Sequence, residues 1–225
     1  MSKRYQATSS SIQPSFSRRR FMQAAAAVPL LLTLPGRALA SASIHKLHGE
    51  VFINNRLADI NTRITTGSRI VIAHAGELVF SIGADAFLLR GGTALELAGT
   101  SVISGLRLLT GGLLAVFDKR SKPAYIVTSV ATIGIRGTGV YVNSEPHRLY
   151  TCTCYGETDL HIGQHRERIV AKHHNAHEIL KGESHPVKSD KMAGMKMNSM
   201  EVIDHTDDEL RMLESYVGRI PVFDQ

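Results

Sequence analysis

Two cysteines stand two residues apart in Tyr150-Thr151-Cys152-Thr153-Cys154-Tyr155-Gly156, and the chain has no others. On a strand, residues i and i+2 point to the same face. The strand rise then puts the two Cα atoms about 6.6 Å apart, near the upper limit for a disulfide. Such a bridge would be strained and readily reduced. Two thiolates on one face would instead offer a bidentate site for a soft metal such as Cu(I) or Zn(II). The third reading is a pair of inert, buried small hydrophobes. The spacing alone leaves all three open.

Histidine bears on the choice. Of 11 histidines, eight fall between positions 147 and 205: His147, His161, His165, His173, His174, His177, His185 and His205. The run Ala171-Lys172-His173-His174-Asn175-Ala176-His177-Glu178 sets His173 and His177 on one face, whether it is a single strand or a helix. Neutral imidazole suits zinc, copper and iron. The expected ligand set is therefore Cys152, Cys154, His173, His174 and His177, with copper, zinc or iron as the cofactor. The competing reading is a polar strand edge or turn that happens to be rich in histidine. Met192, Met195, Met197 and Met200 add soft thioethers that suit copper or serve no metal at all. His177-Glu178 lacks the second histidine of a zinc-protease helix motif, and neither a C-x-x-C-H haem motif nor a G-x-S-x-G elbow occurs. The expectation is a protein that is not an enzyme.

Elements must position these groups. From Ile44 to Ile179 short apolar runs alternate with turn residues: Glu50–Ile53, Arg69–Ala73, Glu77–Ile82, Ala86–Arg90, Leu113–Phe117, Leu149–Cys154 and Thr158–Ile162 are examples. Short strands at intervals of about 8–12 residues predict an all-β sandwich or β-roll. Asn54-Asn55, Gly91-Gly92 and Gly111-Gly112 read as turns. Residues 41–182 form this β domain, with the Cys/His-rich part at its C-terminal end. Residues 183–203, rich in Lys, Ser, Gly and Met with little periodicity, predict a linker or mobile loop. Residues 204–225 predict an amphipathic helix and tail. Thr206 and Glu209 form a capping box, Leu210, Leu213, Tyr216 and Val217 share a face, and Gly218 with Pro221 ends it.

Residues 1–40 read as an export signal. Ser17-Arg18-Arg19-Arg20-Phe21 precedes an apolar run from Ala24 to Leu34, and Ala38-Leu39-Ala40 supplies small residues for cleavage. The order is that of a secretory leader. The apolar run, broken by Pro29 and Pro35, is short of the roughly 20 residues of a spanning helix. Arg18, Arg19 and Phe21 resemble the twin-arginine consensus, which implies the periplasm as destination and folding before transport, often around a cofactor. Membrane contact is then transient and confined to the leader. The leader also accounts for the charge. Of the 26 Lys and Arg, six (Lys3, Arg4, Arg18, Arg19, Arg20, Arg37) precede residue 41 and no acid does, so the remaining 20 balance the 20 Asp and Glu. A neutral mature chain argues against nucleic acid as a partner.

The segment Thr128-Ser129-Val130-Ala131-Thr132-Ile133-Gly134-Ile135-Arg136-Gly137-Thr138-Gly139-Val140-Tyr141-Val142 resembles the core motif of FecR-type periplasmic domains. Ala131, Thr132, Gly134, Arg136, Gly137 and Thr138 carry the likeness. Asn54-Asn55-Arg56, Thr66-Gly67-Ser68-Arg69 and the stretch from Leu106 to Gly112 resemble that family's turns, and the likeness spans roughly residues 45–165. The glycines are followed by strand formers rather than a helix, which argues against a phosphate loop and for bulge and turn positions. The resemblance implies a β domain in the envelope. A cleavable leader stands where the family's sensors carry a cytoplasmic segment and membrane helix, so the sigma-factor contact of those sensors is not carried over. Two functions follow as expectations. One is a non-enzymatic binding, sensing or scaffold module whose partner is an envelope protein or surface ligand. The alternative is a periplasmic metal-binding or thiol-redox protein built on Cys152, Cys154 and the nearby histidines.

Overall fold

The computed structural model describes residues 42–99, 103–181 and 195–225. Arg18, Arg19, Phe21, Ala38 and Ala40 of the leader lie outside the described residues, as do 183–194. The strands are β1 (Ala42–His48), β2 (Val51–Ile53), β3 (Arg56–Leu57), β4 (Arg69–Ile72), β5 (Glu77–Ile82), β6 (Asp85–Leu89), β7 (Ala94–Gly99) and β8 (Ile103–Val116). They continue as β9 (Ala124–Val127), β10 (Thr132–Ile135), β11 (Gly139–Ser144), β12 (Arg148–Ile162), β13 (His165–Ala171), β14 (Asn175–Lys181) and β15 (Met195–Met200). One helix, α1 (Asp207–Tyr216), and a short 3-10 turn at Val222–Asp224 follow. The chain is all-β with a C-terminal helix. No described helix is long and apolar enough to cross a membrane.

Two sheets share their two longest strands. The first runs β1-β5-β6-β8-β11-β12-β14-β15. The second runs β3-β2-β4-β7-β8-β9-β10-β12-β13. Every pair is antiparallel except β8 with β9. Strand β8 pairs with β7 up to Thr110 and with β11 from Gly111 onward. Strand β12 pairs with β11 up to Tyr155 and with β14 up to Thr153, then with β13 from Gly156 and with β10 from Thr158 onward. Each change of sheet falls on a glycine with φ of +85°, Gly111 and Gly156. Only glycine adopts this conformation without strain, and it turns a strand from one sheet into the other. Gly111-Gly112 is therefore not a hairpin turn, as its composition suggested, but the bend within one continuous strand.

Side-chain alternation explains why β5, β6, β11 and the first half of β12 are buried almost throughout. Phe80, Phe87, Leu113, Val142 and Leu149 point into a core that also holds Ile70, Leu95, Leu106, Ile126, Ile133 and Leu160 of the second sheet. The intervening Val79, Ala86, Leu88, Leu114, Val116, Tyr141, Tyr150, Cys152 and Cys154 point to the opposite face of the first sheet, where Leu210 and Leu213 of α1 cover them. Helix α1 starts as its sequence predicts. The Glu209 N–H donates to Thr206 Oγ1 at 3.3 Å, and the Thr206 N–H donates back to the Glu209 carboxylate at 3.0 Å. Three anchors hold the helix to the body. Arg90 donates to Glu209 at 2.8 Å, the Tyr155 hydroxyl donates to buried Glu214, and Arg219 Nε donates to Glu214 at 2.6 Å.

Part of the expected linker is a strand. Met195–Met200 pairs antiparallel with β14, Ile179 facing Met197, and Met197 packs on the core. Methionine carries little strand preference, so the pairing is set by the open edge of β14 rather than by local sequence.

Candidate metal centre

Strand alternation does for the cysteines what their spacing predicts. Cys152 lies opposite Tyr141 of β11 and Ala176 of β14, with Tyr150, Cys152 and Cys154 on the face that α1 covers. Both cysteines are wholly buried and both are free thiols.

Two histidines reach them from elsewhere. His174 sits in the turn between β13 and β14 with φ of +47°. That left-handed conformation has a cost for any residue with a Cβ, and the His174 N–H donates to the Cys154 carbonyl at 2.8 Å, which fixes the turn against β12. His174 Nδ1 lies 3.5 Å from Cys152 Sγ. His205, 6% exposed, immediately precedes the N-cap of α1 and stacks on Tyr141 at 4.8 Å. Its Nε2 lies 3.3 Å from His174 Nδ1. The donor atoms of Cys152, Cys154, His174 and His205 all lie within 4.8 Å of one another.

The outer nitrogens determine what the inner ones present. His205 Nδ1 is 2.8 Å from the Ile203 carbonyl, which only accepts, so Nδ1–H donates there. His174 Nε2 is 2.8 Å from the Asp207 carboxylate, so Nε2–H donates there. In neutral imidazoles this turns a lone pair of each ring inward. Two lone pairs and two sulfurs then converge on one buried spot that only protons or a metal can fill. Carbonyl and carboxylate partners on the far nitrogen are what orient metal-binding histidines in general.

Charge follows the same pattern. The Cys152 thiol is held well below its usual range, first by the hydrogen bond from the Cys154 thiol and then by His205 and His174, against the cost of burial. Burial, and next the neighbouring Cys152, holds the Cys154 thiol well above its usual range. Burial opposes a charged His174, but Asp207 and Cys152 outweigh it and raise its pKa. Without metal, then, a proton on His174 faces a Cys152 thiolate. Metal binding displaces such protons.

The distances suit a tetrahedral ion. Zn–S of about 2.3 Å and Zn–N of about 2.0–2.1 Å set N···N at about 3.3–3.4 Å and S···N at about 3.5–3.6 Å. The observed edges are 3.3 Å between His205 and His174 and 3.5 Å between His174 and Cys152.

The remaining expected ligands divide. His173 is half-exposed and pairs with Asp207 at 3.0 Å, so it reaches the carboxylate that orients His174 and not the sulfurs. A correction applies to His177. It lies opposite Thr151 of β12, on the other face of the sheet from Cys152, and its buried Nε2 has no hydrogen-bond partner. The turn at Lys172–His174 resets the alternation, so even spacing from His173 does not mean a common face. His205 is the member of this group that spacing did not select. Its signal was its position directly before the Thr206 capping box, which anchors that histidine where the helix docks.

The motif residues around Gly134 lie elsewhere and build the corner. Ile133 and Ile135 of β10 enter the core, and Ala131 is buried beside them. Thr132 pairs with Val127 and Gly134 with Tyr125 of β9. Arg136 Nε donates to Asp159 at 2.9 Å. Gly137 has φ of +68°, and Thr138 Oγ1 donates to the Glu157 carbonyl at 2.7 Å and accepts its N–H at 3.1 Å. These contacts clasp β12 next to Gly156, two residues beyond Cys154.

No protein-family model matches the chain, and neither does any curated protein. Two crystal structures of a protein provisionally named an anti-sigma factor, from Parabacteroides distasonis ATCC 8503, at 1.65 and 2.50 Å, are similar to it. Each aligns at 11% identity and a TM-score of 0.47 over 58% of this chain. The chain spans 59% of the length of those structures. At that level the likeness carries no argument about function.

Proposed function

We propose that this chain is an exported envelope protein that binds one zinc ion through Cys152, Cys154, His174 and His205, and that it acts without catalysis as a binding or scaffold module. The observation that carries the metal is the convergence of two buried thiols with two imidazole nitrogens whose outer N–H groups are already committed to Ile203 and Asp207. All four tetrahedral positions come from the protein, the arrangement of structural rather than catalytic zinc sites. Charge favours Zn(II): two thiolates and a divalent ion sum to zero, whereas Cu(I) leaves a net negative charge in a buried place, which is costly.

The sequence supports the setting. The leader resembles a twin-arginine signal, so the protein folds before it is exported to the periplasm. Its thiols meet metal in a reducing compartment and travel already coordinated. The likeness of residues 45–165 to FecR-type domains supports a role in contacting an envelope protein or surface ligand. Against a thiol-redox role stands the pairing of β12 on both sides. A disulfide between same-face cysteines at that spacing, on a strand held in both ladders, would be strained.

Elemental analysis of untagged protein purified from its native compartment tests this reading. One equivalent of zinc is expected, and Cys152→Ser with Cys154→Ser should abolish it while the body strands stay folded by circular dichroism. Metal-free wild-type protein that also fails to take up added zinc overturns the assignment.

A further inference from the structure

The metal set is not confined to the β body. Cys152 and Cys154 belong to β12 and His174 to the β13–β14 turn, but His205 belongs to the segment that leads into α1. Asp207, the first residue of α1, accepts from both His173 and His174. The C-terminal segment therefore supplies one ligand and the carboxylate that orients another. Resting on the zinc reading above, we infer that the metal is a fastener: its occupancy controls whether the N-terminal end of α1 stays docked over the apolar outer face of the first sheet.

The attachment of α1 has two ends with different chemistry. At its C-terminal end Glu214 accepts from Tyr155 and Arg219, and Arg219 also donates to the Ala84 carbonyl at 2.6 Å. No metal enters these contacts. At its N-terminal end the contacts run largely through the site. His205 stacks on Tyr141, Asp207 binds His173 and His174, and Tyr150 holds the approach through the Glu201 carbonyl at 2.8 Å. Arg90, partly exposed, also holds this end, donating to the Glu209 carboxylate and to the Asp204 carbonyl, both at 2.8 Å. Without metal, the segment that carries His205 loses its cross-link to Cys152 and Cys154 of β12. A helix of 10 residues is not stable on its own in water. Once its N-terminal end lifts, the helix frays, and Val79, Leu88, Leu114 and Val116, which Leu210 and Leu213 cover, meet solvent.

The test is hydrogen exchange on the mature protein, followed residue by residue, with zinc at saturation and after a chelator, with bound zinc measured on the same samples. Exchange of the Leu210–Tyr216 amides should accelerate about 100-fold on metal removal, the factor expected when free zinc stands at about 100 times Kd and binds the closed form alone. Amides of β5, β6 and β11 should keep their protection. The variant His205→Ala keeps three ligands on the body. At zinc concentrations that saturate it, its α1 amides should exchange fast with or without metal.

The outcomes separate the two claims. One bound zinc with α1 protection that ignores it overturns the fastener and leaves the zinc site standing. Loss of protection throughout the β strands on chelation overturns it as well, because the metal would then hold the whole fold. A His205→Ala protein whose α1 still responds to zinc also overturns it. Absence of bound zinc defeats the site and the fastener together.

Discussion

Gly156→Ala should cost far more stability than Gly163→Ala, although both glycines belong to the β12–β13 hairpin region and both have positive φ, +85° and +58°. Forcing alanine into left-handed backbone costs about 1–2 kcal/mol. The reduced freedom of the unfolded chain returns about 0.4–1 kcal/mol. Gly163 has nothing within 4 Å of an added Cβ, so these two effects are its whole account and the net is about 1 kcal/mol. At Gly156 the added Cβ would meet the Gly137 carbonyl oxygen at 2.8 Å, Thr138 Oγ1 at 3.0 Å and Thr138 Cα at 3.2 Å. Two of these atoms are backbone, and the hydroxyl is held by Glu157 on both sides. None can move aside cheaply, and overpacking of this kind adds about 1–3 kcal/mol. The total is about 3 kcal/mol, a large share of the roughly 5–15 kcal/mol that holds a domain together. Urea unfolding of the two variants, read as midpoints at constant slope, gives the comparison. Equal midpoints would refute the claim that β12 changes sheets through a close approach at Gly156.

Three further outcomes follow. Glu214→Gln leaves Arg219 without its buried carboxylate partner and should destabilise the protein by about 3 kcal/mol in urea unfolding; a change within experimental error contradicts the anchoring of α1 through Glu214. Burial pushes Tyr141 and Tyr150 up to about 12, and burial with Glu214 raises Tyr155 further. Raised folded-state values mean stability that is complete below the ordinary tyrosine pKa of about 10 and is lost as pH rises through the folded values, so tyrosinate absorbance should appear there together with unfolding; early ionisation without unfolding contradicts the packing. Arg18→Lys combined with Arg19→Lys keeps the charge but not the guanidinium geometry, so fractionation with intact mass should find full-length precursor in the cytoplasm and wild type in the periplasm beginning at Ser41; equal periplasmic yield contradicts the twin-arginine reading.

Local patterns carried much of this structure, and their failures share a cause. The capping box at Thr206 and Glu209, the limits of β5 at Glu77 and Ile82, and the common face of Cys152 and Cys154 are all set by residues within one element, so composition and spacing reveal them. Gly111 looks like a turn because glycine marks both hairpins and bends within strands, and only the pairing of β8 with β7 and then β11 separates the two. His177 was misplaced because its phase relative to His173 depends on a turn whose residues, Lys172 to His174, carry no turn signature. His205 stands more than fifty residues beyond Cys152, and only the docking of α1 brings it to the sulfurs. Strand β15 is specified by the free edge of β14 rather than by its own Met-rich sequence.

The central claim is that two sulfurs and two imidazole nitrogens close around one ion. X-ray absorption at the zinc edge of the zinc-loaded protein measures that shell directly. The geometry predicts two sulfur neighbours at about 2.3 Å and two nitrogen neighbours at about 2.0–2.1 Å, with one sulfur lost in Cys152→Ser and one imidazole lost in His205→Ala. A shell of oxygen and nitrogen alone, or a wild-type spectrum that His205→Ala leaves unchanged, would contradict it.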